Sequence, residues 1–257
     1  MEGGRARVWY WEKMSCSSKT RNGTPGVPEL LIREKTIAPQ DLTLIVRSHL
    51  CETRSEEVAS AITHGVGLAL SIVGLILMTN ASAGDPWRFA GGAIFGSTLI
   101  ILYLSSTLYH SFSGPRTKSV LQIIDHSAIY LLIAGSYTPI SLVTLRGPWG
   151  WSLLGVVWSM AIAGIIIKSL MRNSREHWIS IALYLVMGWL VVFAAAPLIR
   201  SISPGGLALL VAGGLCYSGG VIFFVRKNLK YNHAIWHLFV LAGSVCHALA
   251  TIFYILP

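Results

Sequence analysis

Seven apolar segments, each about 20 residues long, follow one another from residue 58 to the end of the chain. They cover approximately residues 58–79, 88–110, 121–144, 150–170, 178–199, 205–225 and 232–255. An α-helix of this length, rising about 1.5 Å per residue, crosses the roughly 30 Å hydrocarbon core of a bilayer. The alternating strand pattern of a transmembrane barrel is absent from the sequence. The segments therefore predict an all-α integral membrane protein, a seven-transmembrane helix bundle.

The composition supports this prediction, because 53% of the residues are hydrophobic and 12% are charged. So few charges cannot cover a water-facing surface, which excludes a soluble domain, a disordered chain and a disulfide-rich secreted scaffold. A formal net charge of +9 is compatible with nucleic-acid binding only if the basic residues share one solvated face. Here they are scattered between apolar segments, so we expect membrane lipids and no nucleic acid as partners. The oligomeric state is left open.

The N-terminal region differs from the rest of the chain. Residues 1–57 hold nine of the 20 basic residues and eight of the 11 acidic residues. This shift predicts a polar, disordered cytoplasmic tail over residues 1–56 and a membrane domain over residues 57–257. An alternative start at Met14 stays open, and the tail is given no function.

Basic residues in the loops predict the orientation, because short cytoplasmic loops collect Lys and Arg. Alternate junctions hold eight of them, at Arg116, Lys118, Lys168, Arg172, Arg175, Arg226, Lys227 and Lys230. The other junctions hold Arg88, Arg146 and Arg200. Placing the larger set inside puts the N-terminus in the cytoplasm and the C-terminus outside.

A few ionisable residues lie inside the apolar segments, where each costs about 2.5–3.5 kcal/mol unless it finds a partner. In the predicted topology five of them share one depth near the cytoplasmic face: His64, His110, Asp125, His233 and His237. His247 lies ten residues beyond His237, about 15 Å deeper along the helix. We expect it to make an interhelical hydrogen bond.

His233 and His237 are four residues apart, so they share one face of the seventh helix and can chelate one metal ion. With His110 they would supply three neutral nitrogen ligands and leave a fourth position open, as in catalytic zinc sites. Asp125 is then the candidate to hold or deprotonate a water molecule at the open position, with the Ser106 hydroxyl beside it. Spacing alone also permits a hydrogen-bonded structural pair, and the HExxH protease motif is absent.

The remaining histidines are expected to have structural or solvated roles. His126 adjoins Asp125 but points about 100° away around the helix. His49 and His177 lie in polar segments. His64 is left open between a structural role and a place in the site, because Glu57 and Thr63 stand near it.

Four sequence motifs resemble those of a known family. They are EVASAITH at residues 57–64, SSTLYH at 105–110, DHSAIYLLIAG at 125–135 and YNHAIWH at 231–237. The chain from residue 57 onward resembles the hemolysin III proteins, the bacterial branch of the progestin and adipoQ receptor family. One departure is Ser60, where the family commonly has Asn.

The resemblance implies a seven-helix fold with the N-terminus inside. It also implies a zinc ion held by His110, His233 and His237, with Asp125 contacting the ion through water. The receptor branch of the family resembles lipid amide hydrolases, so the first functional hypothesis is a zinc-dependent hydrolase of an amide or ester bond in a lipid.

Two further hypotheses stay open. The family name implies a cytolysin or pore former, which this sequence supports little, because released pore formers need a water-soluble state. The other is a non-enzymatic sensor or regulator of membrane state in which the metal joins the second and seventh helices. The hydrolase predicts that Asp125→Ala abolishes turnover while zinc stays bound.

Overall fold

The computed structural model describes residues 53–82, 84–170 and 174–257, and this part of the chain is helical without any strand. Seven helices within it are long and apolar enough to cross a membrane. The predicted all-α fold with seven spans is therefore confirmed. The inside-outside orientation stays a prediction. Most of the predicted tail lies outside the described residues, while 54–56 form the first turn of the first helix.

The helices are numbered α1 to α7 in chain order. They are α1 Arg54–Ala81, α2 Pro86–Ser111, α3 Pro115–Pro139, α4 Pro148–Leu170, α5 Ser174–Trp189, α6 Pro204–Val225 and α7 Asn232–Ala250. π-helical turns lengthen α3 and α7, at Ile140–Thr144 and Thr251–Ile255. The fifth span continues beyond α5 through a 3₁₀ turn, Leu190–Ala194, and a last helical piece, Ala195–Ser201.

Several helices begin where the sequence supplies a cap followed by proline. Asp85 precedes α2, and its side chain accepts hydrogen bonds from the backbone N–H groups of Trp87 at 2.8 Å and Arg88 at 3.0 Å. Ser203 precedes α6 and accepts the N–H of Gly206. Such caps satisfy backbone N–H groups that have no partner inside the helix. Proline is suited to the first turn because the N–H group that it lacks would have no partner inside the helix there.

The irregular turns have identifiable causes. Pro139 lacks a backbone N–H, and α3 gives way after it to the π-helical turn. Where the fifth span is interrupted, the Tyr137 hydroxyl accepts the N–H of Val191 at 3.0 Å. The same hydroxyl lies 2.9 Å from the carbonyl oxygen of Met187 and 2.8 Å from that of Gly188. One side chain of α3 thus satisfies backbone groups that the interruption exposes.

Two clusters of buried apolar side chains hold the bundle together. One is centred on α3, α4 and the fifth span, and the other on α2, with residues of α1, α3 and α7 packed against it. Large apolar side chains also cover the outside; on α1 the exposed ones are Val58, Ile62, Val66, Leu70, Ile72, Val73, Ile76 and Leu77. An apolar exterior on spans of this length is suited to contact with lipid chains.

Four helix ends meet at one end of the bundle, which we call the site end. The first turn of α1 contacts the end of α2 through Glu57 and His110, and the start of α3 through Glu57 and Lys118. It also contacts the start of α7, because Glu56 accepts the backbone N–H of Tyr231. The fold therefore brings together, at the site end, helix ends that are distant in sequence.

Candidate metal centre

Three buried histidines meet at the site end. His110 lies in the last turn of α2, and His233 and His237 lie in the first two turns of α7. One ring nitrogen from each can be chosen so that all three lie within 4.8 Å of one another. The ring centroids are 4.6 Å apart for His233 and His237, 4.9 Å for His110 and His233, and 5.0 Å for His110 and His237. These residues can hold one metal ion.

Hydrogen bonds at Nδ1 determine which nitrogen two of these rings offer. His110 Nδ1 donates to Glu57 Oε2 at 2.8 Å. His237 Nδ1 donates to the backbone carbonyl of Ser60 in a long hydrogen bond of 3.4 Å. A proton on Nδ1 leaves the lone pair on Nε2, which is the usual arrangement when a carboxylate or carbonyl supports a metal-binding histidine. His237 Nε2 is buried and has no hydrogen-bond partner in the described part of the chain.

The departure at Ser60 does not affect this contact. His237 is bound by the main-chain carbonyl of Ser60, which any residue would supply. The Ser60 hydroxyl is buried and makes no hydrogen bond within the described residues. The side chain at this position therefore does not determine the orientation of His237.

His64 lies against this group. Its ring stacks on that of His237 at a centroid distance of 3.5 Å and an interplanar angle of 15°. It also meets the edge of the Tyr103 ring at 4.9 Å. His64 is buried and does not belong to the three-histidine group. The sequence left the role of His64 open. The structure places His64 beside the three-histidine group, in contact with the candidate ligand His237.

The two predicted catalytic residues are both buried. Ser106 lies one turn before His110 on α2, and its hydroxyl has no hydrogen-bond partner within the described residues. Asp125 lies on α3 with an exposed fraction of 3% and is not one of the three grouped ligands. Their catalytic roles stay predictions.

The other described histidines lie outside the three-histidine group. His247 Nε2 donates to the carbonyl of Leu210 on α6 at 3.2 Å, which confirms the expected interhelical hydrogen bond. His126 is half-buried and lies outside the three-histidine group. His49 and the side chain of His177 are outside the described residues.

Aromatic side chains surround the candidate ligands. His233 meets the ring of Trp236 at 5.2 Å and that of Phe224 at 5.7 Å. Both aromatic residues also line a small pocket with an interior volume of about 30 Å³. The other lining residues are His126, Ile129, Lys168, Ser180, Ile181, Tyr184 and Val221. A mostly apolar pocket thus adjoins the histidines through a shared aromatic wall.

Sequence reasoning did not give Glu57 a role as a partner of His110. The sequence showed only that Glu57 lies near His64, because Glu57 and His110 are 53 positions apart and no periodic signal pairs them. The available clue was an acidic residue at the start of a membrane span, where a charge requires a partner.

The geometry defines a class of protein, a multi-pass helical membrane protein with a buried three-histidine group at one end. Residues 52–248 match the family model described as Haemolysin-III related. The chain belongs to the hemolysin III family.

Individual relatives agree with this assignment. Hemolysin-3 of Bacillus cereus and the Hemolysin-3 homolog of Bacillus subtilis (strain 168) are each 48% identical over 204 residues. These matches cover 79% of this chain and 93% and 95% of the two relatives. The monocyte to macrophage differentiation factor of Homo sapiens is 32% identical over 199 residues, covering 75% of this chain and 81% of that protein. The similarity thus extends to a human protein over most of both chains.

Proposed function

We propose that this protein is a zinc-dependent hydrolase that cleaves an amide or ester bond of a lipid in the bacterial plasma membrane, on the cytoplasmic side. The observation that carries the proposal is the group of three buried histidines whose ligand atoms lie within 4.8 Å of one another. Three neutral nitrogen ligands without a fourth protein ligand are typical of catalytic rather than structural zinc sites.

The donor set fits zinc on two counts. His110 and His237 each make an Nδ1 hydrogen bond, which leaves Nε2 for an ion. His237 Nε2 is also a buried polar atom without a hydrogen-bond partner among the described residues, and such an atom is costly unless something binds it. Bound zinc supplies a Lewis acid that polarises a carbonyl group and makes water more acidic.

The chain's own residues would supply the rest of the chemistry. Asp125 takes the proton from the attacking water, because it is the buried carboxylate of α3 and no other acid lies in the described part of α3. The Ser106 hydroxyl, one turn from His110, orients the reacting groups by hydrogen bonding.

The same geometry favours one second candidate. The ligands come from two helices, His110 from α2 and His233 and His237 from α7, so an ion would join these helices. A non-enzymatic sensor or regulator of membrane state would use the ion in this way. The names of the two bacterial relatives, Hemolysin-3 and Hemolysin-3 homolog, raise the cytolysin hypothesis for those proteins.

The first experiment is elemental analysis of detergent-purified protein. We expect about one zinc per chain in wild type and its loss in His110→Ala and His237→Ala. His126→Ala is the matched control, because this histidine lies outside the three-histidine group and should leave the zinc content unchanged. Wild type without bound zinc, when purified in the absence of chelators, contradicts the hydrolase and the metal-dependent regulator alike.

The second experiment separates the hydrolase from the alternatives. Wild type is screened for turnover of lipid amides and esters in mixed micelles, together with Asp125→Ala. The hydrolase predicts turnover in wild type and none in Asp125→Ala, with zinc retained in both. Zinc binding without turnover of any lipid favours the regulator. Conductance of reconstituted liposomes that persists after the metal is removed favours the pore former.

A further inference from the structure

Glu57 divides its carboxylate between two donors from two different helices. Oε2 accepts the Nδ1–H of His110 at 2.8 Å, and Oε1 accepts the ammonium group of Lys118 at 2.6 Å. The side chain of Glu57 is 19% exposed and that of His110 is fully buried. Each oxygen therefore has its own partner in a largely enclosed position at the site end.

Lys118 is held in place independently of Glu57. Its ammonium group lies 4.7 Å from the centre of the Tyr109 ring and 3.4 Å from the carbonyl oxygen of Tyr109. An ammonium fixed beside Oε1 leaves Oε2 as the oxygen that faces His110. Lys118 and His110 therefore contact different oxygens of the same carboxylate.

The neighbouring glutamate makes a comparable contact with the other ligand-bearing helix. Glu56 Oε1 accepts the backbone N–H of Tyr231 at 2.9 Å, and Tyr231 directly precedes α7. The contact with Tyr231 itself uses one acceptor oxygen, because Tyr231 offers a single backbone N–H. Glu56 and Glu57 are therefore adjacent acids with different requirements, which makes Glu56 a natural control for Glu57.

We propose that Glu57 is the positioning residue of the metal centre: it fixes the His110 proton on Nδ1 so that Nε2 is the ligand, and Lys118 reserves the oxygen that does this. The inference rests on the metal centre of the proposed function but not on hydrolysis. Carboxylates that orient metal-binding histidines are usually worth 10- to 100-fold in metal affinity.

The test is zinc affinity of the detergent-purified full chain, measured by competition with a chelating dye. In Glu57→Gln the side chain has one acceptor oxygen and one NH₂ group, which only donates. Lys118 also only donates, so it takes the oxygen and turns the NH₂ group towards His110. This arrangement favours the tautomer with its proton on Nε2, and we expect a loss of roughly 10- to 100-fold in affinity.

A second substitution makes the test specific. In Glu57→Gln/Lys118→Met the competing donor is gone, so the amide oxygen can turn to His110 and most of the lost affinity should return. Glu56→Gln keeps an acceptor for Tyr231 and should change the affinity by less than about 10-fold. If Glu57 and Lys118 only formed an ion pair that joins α1 to α3, the double variant would not regain zinc affinity, because removing Lys118 as well would not restore that pair.

Ring-nitrogen NMR of ¹⁵N-histidine-labelled, zinc-free protein gives an independent measurement. We expect the His110 proton on Nδ1 in wild type and in the double variant, and on Nε2 in Glu57→Gln. The proposal is overturned if Glu57→Gln binds zinc as tightly as wild type, or if the double variant is as weak as Glu57→Gln. If wild type binds no zinc, the proposed function and this inference both fail. If wild type binds zinc and Glu57→Gln binds it equally tightly, only this inference fails.

Discussion

The two ends of the bundle both carry charged and polar side chains, but they satisfy them differently. At the end opposite the site, Arg88 donates to the carbonyl of Leu256 at 2.9 Å, and Asp85 caps α2. Arg146 lies over the Trp87 ring at 4.6 Å. The side chains of Asp85 and Arg88 are 42% and 38% exposed, so water completes their hydrogen bonding.

The site end buries its polar groups instead. His64, Ser106 and His237 are 1%, 0% and 0% exposed, and each keeps a polar side-chain atom without a hydrogen-bond partner within the described residues. Buried polar groups normally have partners, because leaving them unpaired costs free energy. Exposed polar residues at a helix end therefore need not indicate function, and what distinguishes the site end is that its buried, unpaired groups lie together, as His64 and His237 do.

The largest expected effect is the rise in Tm that zinc causes, which should depend on the residues of the site end and not on those of the opposite end. Zinc at 100 times its dissociation constant stabilises a protein by about 2.7 kcal/mol, and the rise in Tm reports this. We expect the rise in wild type and in Arg88→Ala, which lowers Tm through its lost contact with Leu256 but keeps the ligands. His237→Ala should show no rise. Thermal unfolding in detergent, with and without zinc, provides the measurement, and equal rises in all three proteins would contradict it.

A smaller effect is expected from two glycines of α1. A methyl group added at Gly67 would overlap the ring of Tyr103, which packs against His64. Overpacking of this kind costs about 1–3 kcal/mol, so Gly67→Ala should lower Tm and weaken zinc binding.

The matched control lies two turns further along α1. Gly74 has no neighbouring atom within 4 Å of the position of an added methyl group, so Gly74→Ala should leave both properties close to wild type. Equal losses in the two variants would show that general destabilisation of α1, rather than displacement of Tyr103, is responsible.

The smallest effect concerns Asp85, at the opposite end. Hydrogen bonds from the backbone N–H groups of Arg88 and Trp87 hold the pKa of the Asp85 carboxyl below its ordinary value. A carboxyl group with a lowered folded-state pKa stabilises the fold above its unfolded pKa of about 4, and this contribution is lost as pH falls through the folded-state value. Asp85→Asn keeps an acceptor oxygen but cannot titrate.

The corresponding measurement is the Tm of both proteins between about pH 6 and pH 3. We expect the advantage of wild type over Asp85→Asn to shrink at the acidic end, while the zinc content at neutral pH stays equal. A difference in Tm that does not change with pH would rule out the carboxylate as its source.

The spans were predictable because hydrophobic length is a local property of the sequence. The second predicted segment, 88–110, lies within Pro86–Ser111, and the caps before α2 and α6 fall in gaps between the predicted segments. The start of α1 at Arg54, four residues before the predicted segment, was less visible, since its first turn is polar. The charged residues Glu56 and Glu57 are accommodated in that turn because they contact residues of other segments. A hydropathy profile does not record such contacts.

The site was predictable only where residues share a helix or a depth. His233 and His237 follow from their spacing, and His110 from its place at the end of a span. The stacking of His64 on His237 and the pairing of Glu57 with His110 depend on how α1 packs against α2 and α7. The interruption of the fifth span was equally hidden, because Tyr137 of α3 satisfies the exposed backbone groups.

The hydrogen bond between His237 and residue 60 uses the main chain, and this has a consequence for the evolution of the site. A mutation that changes the side chain of residue 60 leaves in place the backbone carbonyl that His237 contacts. Variation at this position is therefore a poor indicator of lost function in related sequences. A substitution that reshapes the first turns of α1 would be more damaging than any exchange of one small polar residue for another.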